Sequence, residues 1–415
     1  MTTRDYHLSE PALPQLISSG GGANQTRVRA YNERLVLSVV RRQSGLSKAE
    51  IARHTGLSAQ TVSVIMRSLE KDQLLTRGAP VRGKVGQPSV PMHLNPDAVL
   101  SFGVKIGRRS ADMVLMDFVG RIRLQLHRTY PFPMPDAILA FVTEGISELE
   151  GRMTGQERES VAGIGIAAPF ELWNWAEEVG APSGTMDAWR EFDLQAEVAA
   201  SVAYPVYLQN DATSACGAEL VFGVGARYPD FVYFYIGSFI GGGIVLNSAV
   251  FVGRTGTAGA IGPLPVRNKH GETCQLLEIA SIFVLENLLR ERGIDPQPLW
   301  YSADEWIDFG APMELWIKDC ADALAQAIVA SVSILDFSAA VIDGGFPGWV
   351  RRRLVQATSA AVERLDLQGI VKPDIIEGAV GAQARAIGGA SLPIFARYLI
   401  DQSVLFKDMD NAEGT

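Results

Sequence analysis

The stretch LSKAEIARHTGLSAQTVSVIMRSLEK, residues 46–71, reads as two short helices joined by a tight turn. Ser47 and Glu50 have the S-x-x-E spacing of a capping box, so Ser47 can start a helix. That helix should run to about Thr55, where Gly56 lets the chain turn. Ser58 then caps a second helix. On it Val62, Ile65, Met66 and Leu69 recur at three- and four-residue steps and form one apolar stripe. The opposite face carries Gln60, Thr61, Ser63 and Arg67, short polar or long cationic side chains suited to base edges and phosphates in a major groove. The competing reading is an ordinary helical hairpin with a solvated face, and the flanking residues decide between the two.

Upstream, Asn32 can cap a helix that carries Leu35, Val36, Val39 and Val40 and ends near Gly45. Downstream, LLTR at 74–77 reads as a short strand, GAPVRGKVGQP at 78–88 as a loop, and residues 90–94 as a second strand. Pro91 restricts that second strand to an edge position. Three helices followed by a two-stranded wing make a winged helix-turn-helix over residues 27–94. The expected DNA contacts are Lys48, Ser58, Ala59, Gln60, Thr61, Ser63 and Arg67, with Arg82 and Lys84 at the tip of the wing. A cation among the wing glycines can reach a phosphate or enter the minor groove. Residues 1–26, rich in Ser, Gly and Pro, read as a flexible arm.

Charge supports this division. The 415-residue chain carries a net charge of -9, which is wrong for a DNA binder until it is split. Residues 27–93 hold twelve Arg/Lys against four Asp/Glu, a balance of +8, while the remaining 25 basic and 42 acidic residues give -17. Double-stranded DNA should therefore meet the basic end alone and be repelled by the acidic body. The three cysteines, Cys216, Cys274 and Cys320, are scattered and odd in number, which argues against a disulfide framework and for a reducing, cytoplasmic setting. Residues 1–30 contain no apolar signal-peptide core. Residues 231–253 lack any charged residue, yet three consecutive glycines at 241–243 disfavour a helix by about 1 kcal/mol each relative to Ala. A buried strand, Gly turn and strand fits that run better than a membrane span.

From Ala98 the pattern becomes α/β. Residues 100–106, 111–118 and 122–127 read as strands, 137–150 as a helix and 161–167 as a buried strand closed by Pro169. A loop with Trp173, Trp175 and Trp189 follows, then a helix at 193–201 and a strand at 206–208. That strand leads into Asn210-Asp211 and another helix. At Phe231 the plan starts again, with VKIG at 104–107 and YIGS at 235–238 in equivalent places. Helices are expected at 279–292, 313–335, 349–365 and 391–407, with a strand ending in a Gly turn at 339–345. Duplication of this kind implies two similar lobes with a cleft between them. The lobes divide at roughly 98–210 with 391–408, and 211–390.

SKAEIARHTGLSAQTVS at 47–63, VGQP at 85–88, GIGIAAP at 163–169, QNDA at 209–212, GTAGAIG at 256–262 and VIDGG at 341–345 stand in the order and spacing of one family. Over residues 31–400 the chain resembles the ROK family (repressors, open reading frames and kinases). Within it the likeness is to the winged-helix repressor branch of N-acetylglucosamine- and xylose-type repressors. The resemblance implies an α/β, actin- or hexokinase-like (ribonuclease H-like) two-lobed domain at 98–408 with a sugar cleft.

The departures from the family pattern bear on chemistry. Where ROK kinases have an Asp-x-Gly-Gly/Thr hairpin for ATP phosphates and Mg²⁺, this chain has Lys105-Ile106-Gly107-Arg108-Arg109. A Lys cannot hold a hydrated Mg²⁺ as a carboxylate can. Lys105, Arg108 and Arg109 suit direct binding of an anion, or else form a solvated basic turn. The family's Gly-Thr-Gly turn reads Gly237-Ser238-Phe239, and a Phe there crowds the backbone approach that phosphate needs. The family's sugar-contacting Glu is Ala260 and its zinc-binding His is Pro263. The zinc cysteine run has become NKHGETCQ at 268–275, and one Cys with one His does not make a four-ligand site.

Asn210-Asp211 survives, matching the kinases' catalytic pair. It implies a sugar contact without chemistry, or else a helix cap, since Asp211 precedes a helix. Glu278 stands near the family's second sugar-contacting Glu, one residue from an equally good match at Leu277. The three tryptophans could stack on a sugar or belong to the core.

The expectation is therefore a cytoplasmic, non-catalytic regulator without metal or cofactor. It would bind an operator as a homodimer or homotetramer and sense a sugar or a larger or anionic sugar derivative through Asn210, Asp211 and Glu278. The alternatives are an ATP-dependent sugar kinase and a regulator that no longer senses a small molecule.

Overall fold

The computed structural model of the chain describes residues 21–81, 89–170, 172–175, 180–301, 303 and 306–400. They fall into two compact units. One holds the described residues up to Val99, with Val252–Ala258 and the described residues from Phe395 onward; the other holds Leu100–Phe251 and Gly259–Ile394.

The first unit is a winged helix. Helix α1 (Gly21–Arg42), α2 (Lys48–Thr55) and α3 (Ala59–Lys71) precede strands β1 (Leu75–Arg77) and β2 (Met92–Leu94). Ser47 caps α2 through a complete capping box, its Oγ accepting from Glu50 N at 3.3 Å while its N donates to Glu50 Oε2 at 2.8 Å. Gly56 ends α2 in the left-handed region at φ 68, where a side chain is strained. The α3 stripe Val62, Ile65, Met66 and Leu69 is buried, as are Val36, Leu37 and Val40 of α1 and Ile51 of α2, and α3 packs on both helices. Strands β1 and β2 pair antiparallel from Leu75↔Leu94 to Arg77↔Met92, with a further bridge at Val81↔Ser89.

Two expectations need correction here. Helix α1 begins at Gly21, so residues 21–26 of the expected arm are helical and Asn32 is no cap. Across the expected start the helix is held by packing on α3, where Arg29 Nη2 donates to Ser68 Oγ at 3.0 Å. The i,i+4 pair of Arg29 Nε with Glu33 Oε1 at 3.0 Å adds about 0.2–0.5 kcal/mol. Residues 395–400 belong with this unit rather than with the first lobe. Arg34 Nε donates to the Leu399 carbonyl at 2.7 Å, and Ile400 N donates to Ser38 Oγ at 3.0 Å.

The second unit repeats one sheet plan. Its first sheet joins β3 (Leu100–Ile106), β4 (Ser110–Asp117), β5 (Ile122–Thr129), β6 (Val161–Ala168) and β7 (Val206–Asn210) in the order β5-β4-β3-β6-β7. Its second joins β8 (Phe231–Ile236), β9 (Ile240–Leu246), β10 (Ala249–Val250), β13 (Ala339–Gly344) and β14 (Asp374–Glu377) in the order β10-β9-β8-β13-β14, while β11 (Pro265–Arg267) and β12 (Thr273–Gln275) form a separate hairpin. In each sheet the first three strands are antiparallel and the next two pairings parallel. The charge-free run 231–253 is thus the β8–β9 hairpin and its return, and among the described residues no helix is long and apolar enough to cross a membrane.

The last described helix is Ala384–Tyr398, earlier than the expected 391–407, and residues 401–407 lie outside the described residues. Its small residues explain both its position and why its start is hard to read. A Cβ on Gly165 would lie 1.8 Å from Gly389 O, and one on Gly103 would lie 2.2 Å from Ala386 O. The helix backbone therefore rests directly on β3 and β6. Glycine and alanine allow that approach at a cost in helix propensity of up to about 1 kcal/mol per glycine.

Candidate nucleic-acid face and ligand cleft

On the winged helix, Ser58 Oγ accepts from Thr61 N at 3.1 Å and starts α3. Ser58, Ala59, Gln60 and Arg67 are exposed, while Lys48, Thr61 and Ser63 are half-buried. Arg67 Nε donates to Ser63 O at 3.1 Å, which lays the guanidinium along the same face. Val64 lies on this helix too and is 48% exposed, an apolar side chain without the polar signature of its neighbours. Arg77, on the wing, is engaged by Glu70 at 2.6 and 2.8 Å, and its hydrogen bonds lower the Glu70 carboxyl below its ordinary range. Arg82 and Lys84 lie outside the described residues.

In the second unit the β3–β4 turn and the β8–β9 turn face one another across a cavity of 440 Å³. Lys105, Arg108, Arg109, Asp112 and His127 line it from the first sheet, Gly237 and Ser238 from the second, and Arg385 from the helix Ala384–Tyr398. Lys105 is not a solvated basic residue. It is 7% exposed, and its Nζ donates to Asp112 Oδ2 at 2.9 Å and to Ser110 Oγ at 2.8 Å. The other carboxylate oxygen of Asp112 lies 2.5 Å from His127 Nδ1. Burial works to raise the Asp112 carboxyl, yet Lys105 and His127 outweigh it and hold it well below the usual carboxylate range. Burial pulls the Lys105 ammonium below its own range.

Arg108 is also buried, with its guanidinium 3.6 Å from the centre of the Phe239 ring. This cation–π contact joins the two turns. Arg109 Nη1 donates to Pro131 O at 2.6 Å, and its Nη2 lies 3.8 Å from Glu286.

The polar pair at the start of the helix Asp211–Phe222 divides its work. Asn210, not Asp211, is the cap: its Oδ1 accepts from Ala212 N at 3.0 Å and Thr213 N at 3.2 Å. Its backbone is extended, at φ -57 and ψ 139, while Asp211 is already helical. The Asp211 carboxylate accepts from Arg385 Nη1 at 3.1 Å. Arg385 lies against the Tyr235 ring at 4.9 Å. Burial acts to lower the Arg385 guanidinium, but Tyr235 and Asp211 more than offset it.

Arg385 thus links Asp211 to the cavity wall, a residue that sequence reading missed because it lies 174 positions away. Glu278 is not brought to the cavity. It is exposed, and its Oε1 accepts from Gln275 N at 2.7 Å in a local cap. Trp189 is core, its Nε1 donating to Pro133 O at 2.9 Å.

A zinc site of the family type does not fit. His270 is exposed on a turn, Cys274 stands on the β11–β12 hairpin, and among the described residues no cluster of three His, Cys, Asp or Glu could hold a metal ion.

Residues 101–278 match the ROK family and residues 30–84 the MarR family. This chain joins a MarR-type winged helix to a ROK-family domain. A xylose repressor of Bacillus spizizenii is 27% identical over 252 residues, 61% of this chain and 64% of that protein. The match therefore spans less than two thirds of the relative. The structure of a ROK family transcriptional regulator, a homologue of the E. coli MLC protein, superposes with a TM-score of 0.63 at 18% identity, covering 92% of this chain and 98% of that one. A ROK family glucokinase from Streptomyces griseus, solved with glucose and AMPPNP, gives 0.56 at 20% identity over 71% of this chain and 98% of that one. These likenesses establish the fold: a winged helix followed by the two-lobed actin/hexokinase-like domain.

Proposed function

We propose that this protein is a cytoplasmic transcriptional regulator of sugar-related genes whose kinase-like domain senses a ligand and performs no phosphoryl transfer. The observation that carries the reading is α3. Its apolar stripe is wholly buried, while Ser58, Ala59, Gln60 and Arg67 remain exposed on a basic module. The exposed N-terminal residues of such a helix read base edges in the major groove. Lys48, Thr61 and Ser63 flank that face, and Val64 suits the methyl group of thymine. The sequence places the further cations Arg82 and Lys84 between β1 and β2, and they are assigned to phosphates or the minor groove. The protein binds an imperfect palindrome as a homodimer or as a homotetramer built from two dimers, because one helix reads too few base pairs to select a genomic site.

The reading of the ROK domain as non-catalytic is supported by its two turns. Where phosphate chemistry needs a carboxylate and an open glycine turn, Lys105 is tied to Asp112, and Phe239 is covered by Arg108. The ligand is a sugar or sugar derivative that reaches Asn210-Asp211 and favours one arrangement of the lobes. It shifts DNA affinity only by its differential affinity for the two states. The similarity to xylose repressors supports a carbohydrate-related ligand.

Genomic footprinting of the full chain tests the proposal. Discrete sites beside carbohydrate genes are expected, and Gln60→Ala should lose them. Binding that survives both Gln60→Ala and removal of residues 1–96 would overturn it.

A further inference from the structure

Arg385 is the least explained group in the cleft. It is a lining residue whose side chain is only 13% exposed, and its Nη1 is spent on Asp211. Its Nε is buried without an acceptor in hydrogen-bond geometry. A guanidinium has five N–H donors in a planar fork, and buried donors are almost always satisfied. Asp211 at 3.1 Å and Tyr235, whose ring lies 4.9 Å away, engage part of that fork and leave Nε without an acceptor.

The surrounding wall points the same way. Among the described residues, Lys105, Arg108, Arg109 and Arg385 line the cavity against a single lining carboxylate, Asp112. From outside the lining, Asp211 reaches Arg385 and Glu286 lies 3.8 Å from Arg109. The remaining polar lining is neutral, including Gln125, Ser238 and Gln383, and Trp300 and Tyr301 add an aromatic wall. Amides and hydroxyls answer sugar hydroxyls, and an aromatic ring covers the apolar face of a sugar.

We infer that this cavity takes an oxyanion carried on a hydroxylated small molecule, and that Arg385 is the residue that selects the charged ligand over the neutral sugar. The inference rests on the proposed sensing role of the ROK domain and narrows its ligand class. A carboxylate or phosphate oxygen supplies Arg385 with the acceptor that its fork lacks, in the bidentate geometry that guanidinium favours. Asp211 holds the arginine in place, so it positions Arg385 rather than touching the anion. No metal is needed, because the cations are the protein's own.

The test is calorimetric titration of the full chain at low salt with D-glucose, D-gluconate, glucose 6-phosphate and inorganic phosphate. It is repeated on Arg385→Met and on Arg385→Met/Asp211→Asn, the second removing the carboxylate that the first leaves unpaired. D-gluconate or glucose 6-phosphate should bind at least about tenfold more tightly than D-glucose to the parent protein. That preference should collapse in both variants, and the arm that binds distinguishes a carboxylate reader from a phosphate reader. Equal affinity for D-glucose, a preference that persists in both variants, or inorganic phosphate binding as tightly as the sugar anions would overturn the inference. Operator binding by the same preparation separates the two levels. Intact DNA binding with no anion bound sinks the inference alone, whereas absence of DNA binding sinks the regulator reading itself.

Discussion

The Lys105–Asp112 pair makes a quantitative prediction. At 2.9 Å the two charges attract by about 6 kcal/mol at an effective dielectric of about 20. Removing the two ions from water costs several kcal/mol each, roughly cancelling that gain, so the intact pair contributes little net stability. Breaking it is another matter, and the cost is asymmetric. The Lys105 side chain is 8% exposed, whereas that of Asp112 is 22% exposed and also bonded to His127. Asp112→Asn strands a buried ammonium and should cost about 3 kcal/mol, the lower end of the range for a broken buried pair, because Ser110 still accepts from Nζ. Lys105→Met leaves a carboxylate with a second partner and some water, and should cost about 1–2 kcal/mol. The double variant should cost less than the sum of the single ones, with a coupling of about 2 kcal/mol. Urea denaturation of the four proteins, followed by a probe confined to the ROK domain, measures the cycle. Additive single effects, or a milder Asp112→Asn than Lys105→Met, would refute the claim that Lys105 is a buried, neutralised residue.

Three further outcomes follow from the same geometry. Affinity for an operator should fall with salt by about 0.9 log unit per log salt for each phosphate contact, and Arg67→Ala should reduce that slope by about one contact; a slope near zero would contradict a DNA-binding winged helix. A coupled assay over a panel of sugars with ATP and Mg²⁺ should show no turnover approaching the ~1–100 s⁻¹ typical of kinases, and Lys105→Asp should not restore it, since it would set a second carboxylate beside Asp112. Because the Asp112 carboxyl is held well below its ordinary range, its contribution to stability is present above the unfolded value of about 3.9 and lost only as pH falls below it; the parent and Asp112→Asn should therefore show converging stabilities in acid titrations below about pH 4, and a gap that stays constant there would count against the pair.

Much of the fold was legible because the relevant signals are local. Ser47 with Glu50, Gly56 and Ser58 act on residues within four positions, and the structure uses each as a cap or turn. The alternation of strands, helices and glycine turns likewise marked the repeated sheet. The start of α1 was not legible, because the Gly21-Gly22 pair carries a loop signature, while the packing of α1 on α3 is a tertiary contact without a local signal. The helix Ala384–Tyr398 was placed late for a related reason. Gly388 and Gly389 look like breakers until one sees what a side chain there would meet: the Ser214 backbone of the helix Asp211–Phe222 lies 2.0 Å from a Cβ on Gly388, and the Gly165 carbonyl of β6 lies 2.9 Å from one on Gly389. The cleft was legible only in part. Sequence matching supplied Asp211 and the altered turns, but the partner of Asp211, the mate of Lys105 and the cover over Phe239 are long-range or cross-turn pairings with no local periodicity.

Those pairings change what the altered residues mean. A turn that had only lost its phosphate chemistry would leave Lys105 and Phe239 as isolated substitutions in an otherwise open cleft. Instead each has a matched partner, Lys105 with Asp112 and Phe239 with Arg108, and Asp211 has Arg385. Buried charges are tolerated only when paired, so such matches are the condition for keeping cations at this place at all. The Arg108–Phe239 contact also joins the turn of one sheet to the turn of the other, so any ligand that enters between them must compete with or reinforce it. On the anion-binding proposal, a ligand would exchange these internal pairs for its own contacts. That exchange would supply the differential affinity between two lobe arrangements through which a ligand shifts an equilibrium.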